Sequence, residues 1–266
     1  MNIQNAIQEG SQILRYYKCK TPLLDSEILM SKVIQKDRQF IVLNPNMIIK
    51  KDDFTIFKKL IKKRSNGKPV SYLIGRKSFW KNDFEINSNV LIPRPDTELI
   101  IEEVLKLSKN MNKLRILDIG VGSGCILLSI LSEKKNFYGI GIDISKKCID
   151  LSKKNSFKLN LDKRAKFFKS NVDNFNYGKY DLIISNPPYI KQFDLKYLEK
   201  DVVNFEPKLA LNGGLDGLSE IRKVVNKSSE LIKINGKLFL EIAYDQREKV
   251  KEILKSKGFY INKILK

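Results

Sequence analysis

Five apolar runs punctuate the chain from residue 114 onward: "LRILDIG", "FYGIGIDIS", "AKFFKSNV", "YDLIISN" and "GKLFLEIA". Each is short and rich in Ile, Leu and Phe, and helical stretches such as "CIDLSKKNSFKLN" lie between them. Near-continuous apolar strands are buried on both faces, and their alternation with helices marks a parallel sheet covered by helices. From residue 114 onward the sequence therefore predicts an α/β fold. In such sheets ligands bind at the carboxyl ends of the strands.

The first part of the chain has a different period. Ile3, Ala6, Ile7, Ile13, Leu14 and Tyr17 recur at helical spacing. "LLDSEILMSKVI" continues the pattern, with Thr21-Pro22 as its start. "DDFTIFKKLIKKRSNG" opens on acids and closes on bases and a glycine, as a helix dipole favours. These short helices predict a small bundle. "KSFW" and "DFEINSNVLI" then flank a turn at Lys81-Asn82 and read as a hairpin. "PRPDTELIIEEVLKLSKN" follows, with Asp96 or Thr97 as a helix cap. The expected organisation is a helical domain over residues 1–75, a hairpin linker over 76–92 and an α/β domain over 93–266.

Composition removes several kinds of chemistry. There is no histidine, which excludes Ser-His and Cys-His nucleophile schemes and most zinc sites, so no metal is expected. Cys19, Cys125 and Cys148 show no CxxC spacing and suit a reducing compartment. No run approaches the roughly 18 apolar residues of a membrane helix, so no membrane partner is expected. The opening "MNIQNAIQEG" lacks the basic and apolar regions of a signal peptide, which points to the cytoplasm. The formal net charge of +20 suggests an anionic partner such as RNA, DNA or a ribosomal complex. A lysine-biased composition is the simpler account, because only nine of the 50 basic residues are Arg.

"LDIGVGSGC" closes the first strand of the sheet. Gly120, Gly122 and Gly124, with Val121 and Ser123 between them, let the backbone turn tightly beside a ligand. The dinucleotide fingerprint GxGxxG is not matched, since the third glycine comes one position early. About 20 residues on, Asp143 ends the second strand, where a carboxylate accepts both hydroxyls of an adenosine ribose. The pair fits S-adenosylmethionine as well as NAD. Asp118 either reaches the methionine amino group or braces the loop; the sequence leaves both open.

"SNPPYI" supplies the third element, at the end of the fourth strand of the sheet. Proline removes N–H groups and leaves carbonyls. Asn186 Oδ1 and the Pro187 carbonyl can then accept both hydrogens of one planar NH2 group, with Tyr189 stacked on its plane. Pro187 and Pro188 stiffen the corner and preorganise the acceptors. A conjugated NH2 is a poor nucleophile, and alignment with a sulfonium methyl addresses that without a general base.

Together "LDIGVGSG", "GIDIS" and "SNPPYI" resemble the methyltransferases that act on exocyclic or amide NH2 groups. With "GKPVSYLIG", "VLIPRPDTE" and "FEPKLALNGGLDGL", the chain looks like the HemK-type release factor glutamine methyltransferases. The resemblance implies a Rossmann-like S-adenosylmethionine-dependent methyltransferase sheet with a small N-terminal helical bundle joined by a β-hairpin. It implies methylation of the glutamine N5 in the GGQ loop of peptide chain release factors, and a helical domain that helps dock the substrate protein. Ribosome-associated surfaces are further candidate partners. By the resemblance Gly120 to Gly124 and Asp143 bind cofactor. Asn186, Pro187, Pro188 and Tyr189 receive the glutamine, and Asn186 also sits near the cofactor. Asn171 and Val172 stand where the family carries an acid and an aromatic near the adenine, unless Asp173 substitutes with a one-residue shift. Arg94 either lines the cleft or forms a bracing salt bridge. The chain stops at "GFYINKILK", so a final antiparallel strand is missing or "FYINKILK" closes the sheet edge. The rival readings are a DNA or rRNA adenine-N6 methyltransferase, a ribosomal protein glutamine methyltransferase, and a binding module with a vestigial cofactor site.

Overall fold

The computed structural model describes residues 1–265, which form two compact units. The first comprises Met1–Arg76 together with Glu199–Phe205. Its helices are α1 (Ile3–Tyr16), α2 (Pro22–Ile34), α3 (Arg38–Leu43), α4 (Lys51–Ser65) and α5 (Val70–Ile74). The apolar positions of α1 converge with Leu29, Met30, Ile41, Phe57 and Ile61 in one buried cluster. Asn2 caps α1 by accepting from Asn5 N at 2.8 Å. One polar centre is buried here. Arg64 donates to Asp25 at 2.7 Å and to Asp201 at 2.8 Å. Asp201 arrives from far along the chain, and Lys20 pairs with Glu199 in the same unit.

The second unit comprises Lys77–Leu198 and Glu206–Lys266. A hairpin of β1 (Arg76–Phe79) and β2 (Asn82–Glu85) leads into α6 (Glu98–Leu107). The turn falls at Trp80-Lys81, one residue before the sequence places it. Phe79 and Phe84 are both buried and meet edge to face at 6.2 Å, which sets the register. Trp80 takes the left-handed conformation, φ +54°, while its N–H donates to Glu98 and its indole to Glu133, each at 2.8 Å.

The remaining strands are β3 (Arg115–Ile119), β4 (Tyr138–Asp143), β5 (Ala165–Lys169), β6 (Tyr180–Ser185) and β7 (Ile232–Leu240). They form one sheet in the order β5-β4-β3-β6-β7, with every pair parallel. Between the strands run α7 (Cys125–Glu133), α8 (Lys146–Lys158), α9 (Lys200–Phe205) and α10 (Ser219–Leu231), and α11 (Arg247–Ser256) follows β7. Of these, α9 belongs to the first unit. Alternate residues of β3 feed opposite layers. Ile116 packs with Ile101, Leu127 and Ile149 on one face. Leu117 and Ile119 pack with Ile183, Val224 and Leu231 on the other. This is the two-sided burial that the apolar runs predict.

Strand β7 starts four residues before the expected "GKLFLEIA", because an irregular pairing near Asn235, φ +63°, lets Ile232 join as well. It is one of the two outer strands of the sheet among the described residues, β5 being the other. Of "FYINKILK", residues 259–265 add no strand beside β7, and Lys266 lies outside the described residues. Phe259 is drawn instead into the cluster of α10 and α11, and Lys263 pairs with Glu103 of α6 at 2.8 Å. Among the described residues no helix is long and apolar enough to cross a membrane.

Candidate active site

The order β4-β3-β6-β7 puts three sequence-predicted elements at neighbouring strand ends. Asp118 lies beside Gly141 of β4 and Ile184 of β6. The loop after β3 is held from behind. Gly120 N and Val121 N both donate to Ile142 O, at 2.9 and 3.0 Å. The Gly122 carbonyl accepts from Ser152 at 2.8 Å, and the Ser123 carbonyl from Asn155 at 2.9 Å. Val121 and Ser123 are buried. Gly120 is exposed at φ +80°, and a Cβ there would meet nothing within 4 Å. The loop thus turns a bare, left-handed backbone face to open space, where a ligand can approach closely.

Asp143 clamps this loop. Its Oδ2 accepts from Gly122 N at 3.0 Å and its Oδ1 from Ser145 N at 2.8 Å. Burial raises its pKa, and the two backbone donors work against that. Each oxygen keeps a further lone pair for a ligand hydroxyl.

Asp118 is only 1% exposed, and neither carboxylate oxygen has a hydrogen-bond partner among the described residues. It does not brace the loop. Burial pushes its pKa up to about 7; the Leu127 amide eases the charge slightly, and Asp143 opposes it. A buried acceptor without a donor costs on the order of 1–3 kcal/mol. An ammonium placed here would remove that cost, so the open glycine face and the lone acid together fit the amino-acid end of S-adenosylmethionine.

The bend after β6 is equally well supported. Ile190 N donates to Leu211 O at 3.1 Å, Gly213 N to Ile190 O at 2.8 Å, and Gln246 Nε2 to Tyr189 O at 2.9 Å. A Cβ on Gly213 would come within 2.8 Å of Tyr189 Cα, so glycine is needed for this close packing. Asn186, Pro188 and Tyr189 are half-buried and Pro187 is buried. Asn186 Oδ1 and the Pro187 carbonyl accept no hydrogen bond among the described residues. The bend therefore leaves two acceptors unpartnered at the end of the strand next to β3, which carries the glycine loop.

The comparisons agree with this architecture. Residues 5–75 match the family described as the PrmC N-terminal domain, and residues 95–216 the methyltransferase small domain. The release factor glutamine methyltransferase of Clostridium botulinum is 37% identical over 97% of this chain and 93% of its own length. That of Buchnera aphidicola subsp. Schizaphis graminum is 36% identical over 98% and 93%. The chain belongs to the release factor glutamine methyltransferase family. Among solved structures, the ribosomal protein L11 methylase of Lactobacillus delbrueckii subsp. bulgaricus superposes with a TM-score of 0.50 at 16% identity. It covers 71% of this chain and 82% of its own, a likeness of fold.

In this family member two residues of the site escaped the sequence reading. The sequence offers Asp96 or Thr97 as a helix cap, yet the Thr97 hydroxyl makes no cap hydrogen bond. It donates to Glu241 Oε2 at 2.7 Å and accepts from Asn186 Nδ2 at 3.2 Å. Glu241 follows β7 and also receives the Tyr189 hydroxyl at 3.3 Å. Burial raises the Glu241 pKa, and hydrogen bonds from Thr97, Tyr189 and Asn186 pull it back. Burial and the adjacent Glu241 push Tyr189 up to about 12, which keeps its hydroxyl a donor. Only the acid in "FLEIA" hinted at this, and a strand-end Glu carries no signal of its partner.

Arg94 takes the bracing alternative: it pairs with Glu206, which is buried and also accepts from Ile92 N at 3.3 Å. At the positions expected near the adenine, Val172 packs into the core beside Phe175, while Asn171 is exposed and caps its own turn through Asp173 N at 3.2 Å. Asp173 is exposed as well. A cavity of about 480 Å³ lies instead around the opposite strand ends, lined by Lys113, Arg115, Tyr138, Arg164 and Lys166. There Arg164 is engaged with the carbonyls of Leu131, Lys134 and Phe137 at the end of α7. Among the described residues no cluster of His, Cys, Asp and Glu could hold a metal ion.

Proposed function

We propose that this chain transfers a methyl group from S-adenosylmethionine to the side-chain N5 of the glutamine in the GGQ motif of release factors. The observation that carries the reading is the bend after β6. It offers two unpartnered acceptors, Asn186 Oδ1 and the Pro187 carbonyl, one strand away from the open glycine loop. A primary amide has two N–H donors in one plane, and two fixed acceptors match it. Gly120 to Gly124, Asp143 and Asp118 would hold the cofactor, with Asn171 and Val172 at its adenine side. When bound, S-adenosylmethionine supplies an electrophilic methyl carbon. Asn186 and Pro187 fix the amide plane, Tyr189 covers it, and Pro188 keeps the bend stiff. Orientation of this kind is worth up to roughly 7–11 kcal/mol of barrier. The product loses its extra proton to solvent, so the absence of histidine is no obstacle.

The names of the relatives support a release factor as substrate, and the N-terminal helical unit is proposed to help dock it. The test is incubation with labelled S-adenosylmethionine and, in parallel, a release factor, a GGQ peptide, a ribosomal protein and DNA. Label is expected on the release factor and the peptide. Label on nucleic acid alone overturns the reading in favour of an adenine-N6 enzyme, and label on the ribosomal protein alone moves the substrate to a different glutamine.

A further inference from the structure

Asn186 can serve as a hydrogen-bond acceptor only if its amide is held one way round, because a flip exchanges oxygen for NH2. The structure contains the device that decides this. The Glu241 carboxylate, when ionised, can only accept. Thr97 stands 2.7 Å from Glu241 Oε2, so its single hydroxyl hydrogen is committed there. The Thr97 oxygen can then offer only a lone pair to Asn186, at 3.2 Å. A lone pair requires a donor, so the NH2 of Asn186 faces Thr97 and Oδ1 faces out. The constraint runs from an acid at the end of β7, through a hydroxyl before α6, to the amide after β6, and the acid also receives the Asn186 NH2 directly, which demands the same orientation. Thr97 is 3% exposed, so water does not compete for these bonds.

We propose that Thr97 and Glu241 are positioning residues that set the polarity of the Asn186 amide and so select a donor, the substrate NH2, at the bend. The proposal rests on the functional reading above. Glu241 receives a second anchor from Tyr189, which ties the stacking ring to the same acid. Reversing the first link reverses the last. A Gln at 241 can donate to Thr97, which then donates to Asn186, and the amide turns its NH2 outward against the NH2 of the substrate.

The titratable groups that face Glu241 are Tyr189 on the bend, whose hydroxyl donates to the carboxylate and favours its charge, and Asp96 beside Thr97, which disfavours it. Burial raises the Glu241 carboxyl, so acidification is expected to break the relay above the ordinary carboxylate range. Asp118, pushed up to about 7, titrates in the other half of the site. The limb due to Glu241 is therefore the part that E241Q removes.

The experiment measures binding of a GGQ peptide in the presence of S-adenosylhomocysteine, together with binding of S-adenosylhomocysteine alone. T97V and E241Q are expected to weaken peptide binding roughly tenfold or more, as loss of a buried hydrogen bond implies, with nucleoside binding unchanged. T97S is expected to restore most of what T97V loses. In the NMR spectrum of the enzyme, the Asn186 side-chain NH2 should exchange slowly in wild type and T97S and fast in T97V. Wild-type peptide affinity in T97V, or equal losses in T97V and T97S, overturns the relay. If the wild type ignores the peptide, the functional reading falls by itself. Unchanged Asn186 exchange in T97V then overturns the relay separately.

Discussion

The two halves of the site sit at one edge of one sheet and are built by opposite rules. At β3 and β4 the glycine loop is held from behind by backbone hydrogen bonds, while the buried acid Asp118 is left without a donor. At β6 and β7 the buried acid Glu241 is hydrogen-bonded to Thr97 and Tyr189, while the free groups are neutral acceptors on a proline-stiffened bend. The first half stores an unmet electrostatic demand that a cationic ligand can satisfy. The second spends its charge internally and shows the ligand only oriented dipoles. A charged, tightly held cofactor and a neutral amide that must be aligned call for these two designs respectively.

The largest test of this contrast is Asn186→Ala. Turnover should fall by at least about a thousandfold, since an aligned acceptor is lost at the reacting nitrogen. S-adenosylhomocysteine binding, read by calorimetry, should stay close to wild type, and a comparable loss there would erase the distinction between the halves.

Asp118→Asn probes the other half in two directions. Cofactor affinity should drop by roughly 10–100-fold, the worth of a charged hydrogen bond. The ligand-free protein should become more stable, because a buried unpaired charge is removed. The folded pKa of about 7 lies above the ordinary aspartate value of 3.8. Between those values the folded state binds more protons than the unfolded one, so stability contributed by this group falls as pH rises. Thermal melts from pH 4 to 8 should show that slope in wild type and a shallower one in D118N.

Gly120→Ala is expected to cost about 1 kcal/mol of stability, because φ +80° strains any side-chain-bearing residue. No contact opposes the new methyl, so any larger fall in cofactor affinity measures how closely a ligand approaches this face. The smallest effect belongs to Tyr189→Phe. Its hydrogen bond to Glu241 is long, at 3.3 Å, so a loss of a few-fold in turnover is expected. Tyr189→Ala, which removes the ring, should be markedly worse; equal effects would strip the ring of its stacking role.

The parallel sheet was legible because its strands are buried on both faces and announce themselves by composition. All five predicted strands form, and the bend and glycine loop meet because strand order brings their ends together. What stayed hidden depends on pairing across long sequence distances. Thr97 sits before a helix, where threonine usually caps, yet its partner lies 144 positions away. Arg94 offered two readings that only Glu206, 112 positions on, could separate. Asp118 was ambiguous for the opposite reason: its role shows in the partner it lacks.

The passage of the chain through Glu199–Phe205 has a consequence for inheritance. Arg64 is tied to a residue encoded some 137 positions downstream, beyond the bend that is proposed to receive substrate. No single cut separates the helical unit from the rest, since a fragment ending at Arg76 leaves Arg64 with one carboxylate where two belong. Shuffling between relatives that exchanged only the leading helices would mismatch this seam. The unit and its distant strand of sequence must therefore change in step.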